Sequence, residues 1–450
     1  MKLTDYPNEL PALTLDFQNS RQLDPRISFS RASAASPDSS AMVNGKVQQF
    51  GIDVPRLSDN GLLIEATSTN FFAQGQKLIG SLGFALAYTN GITESASATA
   101  ELCPDGVTPA YRYELSNVDE RHYMASAKGT KGTTGSATEP KVGTNIPINW
   151  SIYIKPDGWS KFVLVINQSS GNNCGTRVAF DLSANPAAVE DYGFHSDDAT
   201  GSKARLPSDF VIEPLANGWF RIGWAMTTSA GYSTFCGLVP YDTLPTNFGN
   251  KVAALNPACI YPYNDMGFDP GAAGLGFYAC WGQVENQAFV SSYIPTTGTV
   301  ATRAADICAI TEYSWHNPTQ ATWVTTAGTD VDPGFDWSRI IYMVTSNAGL
   351  WIDARGYQSY KAFNYAEEVT SDYAKPGTKG AFAYAEKNIR AAQDGAFAPL
   401  DTTTTGVDMG TVTSLHLGSS GVNKFLNGYI ERISFYPTRV PDAALEALTT

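Results

Sequence analysis

The chain has 450 residues, of which 43% are hydrophobic and only 16% charged, enough for about three ordinary domains or two large β domains. That balance excludes a disordered chain, which needs high charge and little apolar content. Thirty basic against 43 acidic side chains leave a net charge of −13, which argues against nucleic acid and anionic lipid as partners, since Lys and Arg hold both.

Residues 1 to about 75 are rich in Asn, Ser, Asp and Pro and read as an extended N-terminal section that packs on its neighbour or docks elsewhere. Its start carries Asp5, Pro7 and Glu9 where a signal peptide needs an unbroken apolar core, so classical secretion is not expected. Between about 76 and 305 lie NWSIYIKP (149–156), KFVLVINQ (161–168), GWFRIGWAM (218–226) and LGFYACWGQVE (275–285). Each combines β-branched and aromatic residues at strand length. Turn formers bound them, PDG at 156–158 and NG at 217–218 among them. From about 306 to 450 the same texture continues to NGYIERISFYP (427–437), followed by PDAALEALTT, a short helix with Pro441 in its first turn. The expectation is an all-β chain with two consecutive jelly-roll or β-sandwich domains, 76–305 and 306–450, preceded by the section 1–75. No run of about 18 apolar residues occurs, so no membrane insertion is expected.

The six cysteines, Cys103, Cys174, Cys236, Cys259, Cys280 and Cys308, include no CxxC pair, and His122, His195, His316 and His416 are scattered. A zinc site has no support; the thiols read as reduced and mostly buried, with one or two bridges as the alternative. GxSxG, the P-loop pattern and HExxH are absent. So is the Glu-x-Asp-x-x-Glu pattern that would put paired carboxylates on one strand face for glycoside cleavage. Asp265 and Asp269, in YNDMGFDPG, either offer oxygen ligands to a structural calcium ion or serve as turn residues. Flat aromatic faces are the better lead, because sugar rings stack on them while amides and carboxylates take the hydroxyls. Trp159 follows PDG, Trp337 lies in DPGFDWSR, and Tyr357 and Tyr360 lie in ARGYQSYK. Each is read either as a glycan contact or as an aromatic half-buried under a turn. Trp219, Trp224 and Trp281 lie within strand patterns and are expected in the core.

Five segments carry a resemblance: ISFSRASAAS (27–36), VPRLSDNGLLIEATSTN (54–70), NGWFRIGW (217–224), YACWGQVENQAFVSSYIPTTGTVATRAAD (278–306) and LGSSGVNKFLNGYIERISFYPTRVPDAALEALT (417–449). Together they resemble a family of tailed-bacteriophage structural proteins over nearly the whole chain, and the WGQxE-to-TRAAD string is the most specific part. The resemblance implies a jelly roll like those of carbohydrate-binding modules, then a concanavalin or laminin-G-like sandwich. Arg31, Arg56, Glu65, Asn70, Trp219, Arg221, Trp281, Gly282 and Glu285 match its motifs and look like positions that hold the fold. Cys280 before the tryptophan and Ser291 in SSYIPT depart from the usual pattern.

The expected function is that of a non-enzymatic virion protein, a tail fibre or receptor-binding protein, made in the host cytoplasm and carried on the tail or particle surface. It would bind host-surface polysaccharide as a homotrimer beside other virion proteins, with no required cofactor. The alternatives are a capsid decoration or tail scaffold that contacts virion proteins only and, third, a polysaccharide depolymerase.

Overall fold

The computed structural model describes residues 10–33, 39–73, 75, 77–79, 86–95, 99–116, 122–126, 146–169, 174–194, 207, 209–227, 233–244, 248, 274–329, 338–347, 349–353, 357–362, 365–370 and 378–450. It is all-β, with one α-helix among the described residues, Asp442–Thr449. Pro441 caps that helix, its carbonyl accepting from the amides of Ala444 and Leu445. Leu445 packs on Ala381, Ala383 and Ala392.

Two six-stranded antiparallel sheets form one sandwich. The first runs, in spatial order, Asp209–Pro214, Phe220–Thr227, Pro147–Asp157, Gly276–Glu285, Tyr111–Leu115 and Ile92–Glu94. The second runs Ala188–Phe194, Cys174–Asp181, Lys161–Ser169, Ser233–Pro240, Tyr123–Ser126 and Leu86–Asn90. Successive strand residues face opposite sides, so Ile148, Trp150, Ile152 and Ile154 meet Phe162, Leu164 and Ile166 between the sheets. Val163 and Val165 turn to the outer face under Tyr241 and Phe248.

The second sandwich is discontinuous in sequence. One sheet orders Ala396–Phe397, Arg390–Gln393, Lys379–Tyr384, Ala321–Gly328, Gly428–Tyr436, Gly61–Ile64 and Arg56–Ser58, with Leu13–Asp16 also pairing Gly428–Tyr436. The facing sheet orders Ile27–Ser30, Ile307–Ile310, Val412–Leu417, Arg339–Thr345 and Gly349–Asp353. Residues from the N-terminal section therefore supply strands to both sheets, and Leu13, Leu15, Leu62 and Ile64 share one core with Trp323, Ile341, Leu415, Ile430 and Phe435. The first sandwich is an insertion. Its way in and its way out run side by side as an antiparallel pair, Ser68–Asn70 with Ala301–Arg303, in which Asn70 lies opposite Ala301.

Cys103, Cys280 and Cys308 are free and buried, and Cys236 is buried; Cys259 lies outside the described residues. Trp219, Trp224 and Trp281 are all core residues.

Candidate functional site

The outer face of the Pro147–Asp157 sheet is polar yet buried. Across its strands Asn149 lies opposite Glu285, Ser151 opposite Gln283 and Tyr153 opposite Arg221, and all six are buried. The segment after Glu285 straps over this face and satisfies it. Glu285 accepts from Ser68 Oγ at 2.6 Å, Ser291 N at 3.1 Å and Gln283 Nε2 at 3.0 Å. Gln283 Oε1 accepts from Ile294 N at 2.7 Å. The Asn70 amide donates to the carbonyls of Gly282 and Ile294 and accepts from the amides of Phe72 and Val284.

The Trp-Gly pair makes a bulge. Ser151 faces Gln283 while Tyr153 faces Cys280, so one residue of the inner strand opposes two of its neighbour. Trp281 takes a left-handed φ of 56° and gives its amide to the Gly75 carbonyl. Its indole stacks on Tyr293 at 5.2 Å. At Gly282 a Cβ would come within 2.8 Å of the Phe72 ring, which is why glycine stands there.

Next to this face the two sandwiches meet through buried charge. Arg56, wholly buried, bridges the Glu65 carboxylate at 2.5 Å and the Asp306 carboxylate. Arg303 binds Glu65 at 2.8 Å, and Arg31 binds Asp306 at 3.3 Å and the carbonyls of Phe50 and Gly51. Ser292, from the strap, donates to Glu65 through both its amide and its hydroxyl. Burial alone would raise the Glu65 carboxyl, but Arg303, Arg56 and the Ser292 donors hold it down at about 2. Burial pulls the Arg56 guanidinium down, and Asp306 and Glu65 more than reverse this. Arg31 and Arg303 end below the ordinary arginine value, through burial first and then, for both, the neighbouring Arg56.

A cleft of about 100 Å³ opens beside the cluster, where the Ser39–Phe50 hairpin and both sandwiches converge. Met42, Val47 and Tyr429 give it apolar walls, and Tyr153, Glu213 and Arg221 line its polar side. Glu213 and Tyr153 both face Arg221 across the strands, from its two sides. The Arg221 guanidinium lies over the Tyr153 ring at 5.4 Å, and its Nη2 donates to the Ser291 carbonyl. Its Nη1 stands 3.8 Å from Glu213, an ion pair too long for a hydrogen bond.

The residues matched through the resemblance are thus brought together: Arg31, Arg56 and Glu65 in the charge cluster, Asn70, Gly282 and Glu285 under the strap, and Trp219 and Arg221 beside them. Sequence reasoning missed Arg303, Asp306, Ser292, Tyr153 and Glu213. Arg303 and Asp306 stood inside the quoted string, and Glu213 and Arg221 flank a readable Asn-Gly turn. Of the aromatic candidates, Trp159 is half-buried, packs on the first core and donates its indole N–H to the Lys161 carbonyl at 3.1 Å. Tyr357 and Tyr360 lie on one strand of a hairpin, opposite Thr370 and Glu367, in the second sandwich and so apart in the fold from Trp159. Trp337, Asp265 and Asp269 lie outside the described residues. Among the described residues no group of three or more His, Cys, Asp or Glu is placed to hold a metal ion, and no helix is long and apolar enough to cross a membrane.

No family model and no curated protein matches the chain. Among solved structures, it is similar to a Trypanosoma rangeli sialidase at 11% identity and a TM-score of 0.26, over 76% of this chain and 60% of that one. It is also similar to domains LG4-5 of the mouse laminin alpha1 chain at 7% identity and a TM-score of 0.23, over 79% of this chain and 90% of that one. The chain spans about 60% of the sialidase's length, and no side chain, ligand or activity is carried over from either protein.

Proposed function

We propose that this chain is a non-enzymatic structural protein of a tailed-phage particle, a tail fibre or receptor-binding protein whose sandwiches contact host-surface glycan and which works as a homotrimer. One observation carries the reading. The residues that carry the resemblance, spread from Arg31 to Asp306, form one buried set of contacts that fixes how the two sandwiches join. The matched strings, far apart in sequence, are thus joined by contact in this fold, which supports reading them as one set. Several weak sugar contacts per particle would act together, and linking sites raises avidity by about 10² to 10⁴.

Antibody raised against the whole folded chain, imaged on intact particles, tests this. Label at the tail tip or on fibres is the expected result. Label spread over the head would replace it with the decoration reading, and unlabelled particles would overturn the virion assignment. Calcium at Asp265 and Asp269 belongs to the same proposal: chelation should lower the melting temperature by several degrees, and an unchanged melt removes the ion.

A further inference from the structure

We propose that the cleft at the junction of the two sandwiches binds the terminal residue of a neutral glycan, through Glu213, Arg221 and Tyr153. The inference rests on the glycan-binding reading above and names the site and the sugar class.

Three polar groups in this cleft have unused hydrogen-bonding capacity. Arg221 is 5% exposed, and among the described residues only its Nη2 has a hydrogen-bond acceptor, the Ser291 carbonyl; its Nε is buried without one. Among the described residues the Glu213 carboxylate receives no hydrogen bond, its one charged neighbour being Arg221 at 3.8 Å. The Tyr153 hydroxyl likewise has no hydrogen-bond partner among them. Elsewhere at the junction the buried carboxylates are fully engaged: Glu65 by two arginines and Ser292, Glu285 by Ser68, Ser291 and Gln283. Arg31, Arg56 and Arg303 also leave a buried Nε without an acceptor; what sets this end of the junction apart is that among the described residues the half-exposed Glu213 carboxylate receives no hydrogen bond, while the Arg221 beside it makes one.

A donor and an acceptor held side by side but not bonded to each other suit a vicinal diol, in which one hydroxyl accepts from Arg221 and the next donates to Glu213. Met42, Val47 and Tyr429 offer apolar surface to the C–H face of the ring. The charge selects against an acidic sugar: the Arg221 cation is already matched by Glu213, and the chain carries a net charge of −13. Size selects against an internal residue. At about 100 Å³ the cleft is well below the roughly 300–1,000 Å³ of pockets that enclose whole ligands, so it admits one exposed ring edge and no flanking sugars.

The test uses the full chain, ligand-observed NMR titration with the methyl glycosides of glucose, galactose, mannose and glucuronic acid, and an oligosaccharide array. One neutral glycoside should bind, glucuronide more weakly than its neutral counterpart. Glu213→Gln should weaken binding about tenfold and Tyr153→Phe about threefold, the losses expected for a charged and a neutral hydrogen bond. Glu213 is half-exposed, so its variant should melt with the parent. Three outcomes overturn the cleft assignment and leave glycan binding standing: array glycans bound with no glycoside bound, glycoside bound equally by both variants, or glucuronide bound tightest. No binding to any glycoside or array glycan overturns both.

Discussion

The two sandwiches, each with an apolar core, differ in how the chain builds them and in what joins them. The inserted one is contiguous in sequence and is closed by an apolar interior of Ile, Leu, Phe and Trp drawn from alternating strand positions. The other gathers strands from both sides of the insertion and is tied to its neighbour through Arg31, Arg56, Glu65, Arg303 and Asp306. Apolar packing tolerates shifts in geometry, whereas buried ions must be matched atom for atom. The contrast teaches that the interior makes each sandwich stable, while the charged junction dictates where one sits on the other.

The sharpest way to break this contrast is to cut the chain. Residues 306–450 alone lack Leu13–Asp16, Ile27–Ser30 and Gly61–Ile64, and should show no cooperative melt by circular dichroism. Deleting residues 71–300 and joining Asn70 to Ala301 through two glycines closes a hairpin between residues already opposite each other, and this shortened chain should fold. Next in size, Arg56→Ala takes one cation from both Glu65 and Asp306, leaving Arg303 and Arg31 to hold them, and should cost about 3–5 kcal/mol in urea titrations. Leu164→Ala, in the inserted core, should cost about 2–5 kcal/mol. The two differ in kind: small-angle scattering should show a changed relation of the sandwiches in the arginine variant and none in the leucine variant. Gly282→Ala pushes a methyl group into Phe72 and should cost about 1–3 kcal/mol.

The smallest effect is on pH dependence. Burial lowers the His316 imidazole from 6.5 to about 4. The unfolded chain takes up this proton below 6.5 and the folded chain only near 4, so stability falls as pH drops across that interval. Glu65, held at about 2 against an ordinary 4.5, stabilises fully above 4.5 and is lost only as pH falls towards 2. Melting temperatures measured from pH 7 to 4 should decline less steeply in His316→Gln than in the parent.

The all-β class was legible because strands such as KFVLVINQ alternate visibly. The topology was not. Arg56–Ser58 and Gly61–Ile64 are three and four residues long, and Gly428, opposite Ile64, lies far along the chain, so no local pattern announces the partner. At the junction the motif residues were visible as letters, but their pairing was not, since an Arg at 56 and an Asp at 306 look like ordinary surface residues until the strands bring them together. The Glu213–Arg221 pair was within reach, because an Asn-Gly turn between two strand patterns puts flanking residues opposite each other. Its isolation from other partners depended on the strap and hairpin, which only the fold supplies.

The paired crossing at Ser68–Asn70 and Ala301–Arg303 has a topological consequence. The inserted sandwich is attached to the other by two covalent strands, not one. A protease that nicks any one loop between residues 71 and 300 therefore releases nothing: each cut end stays joined to the second sandwich through its own crossing. Detachment needs two cuts, and a chain cut once would keep both sandwiches.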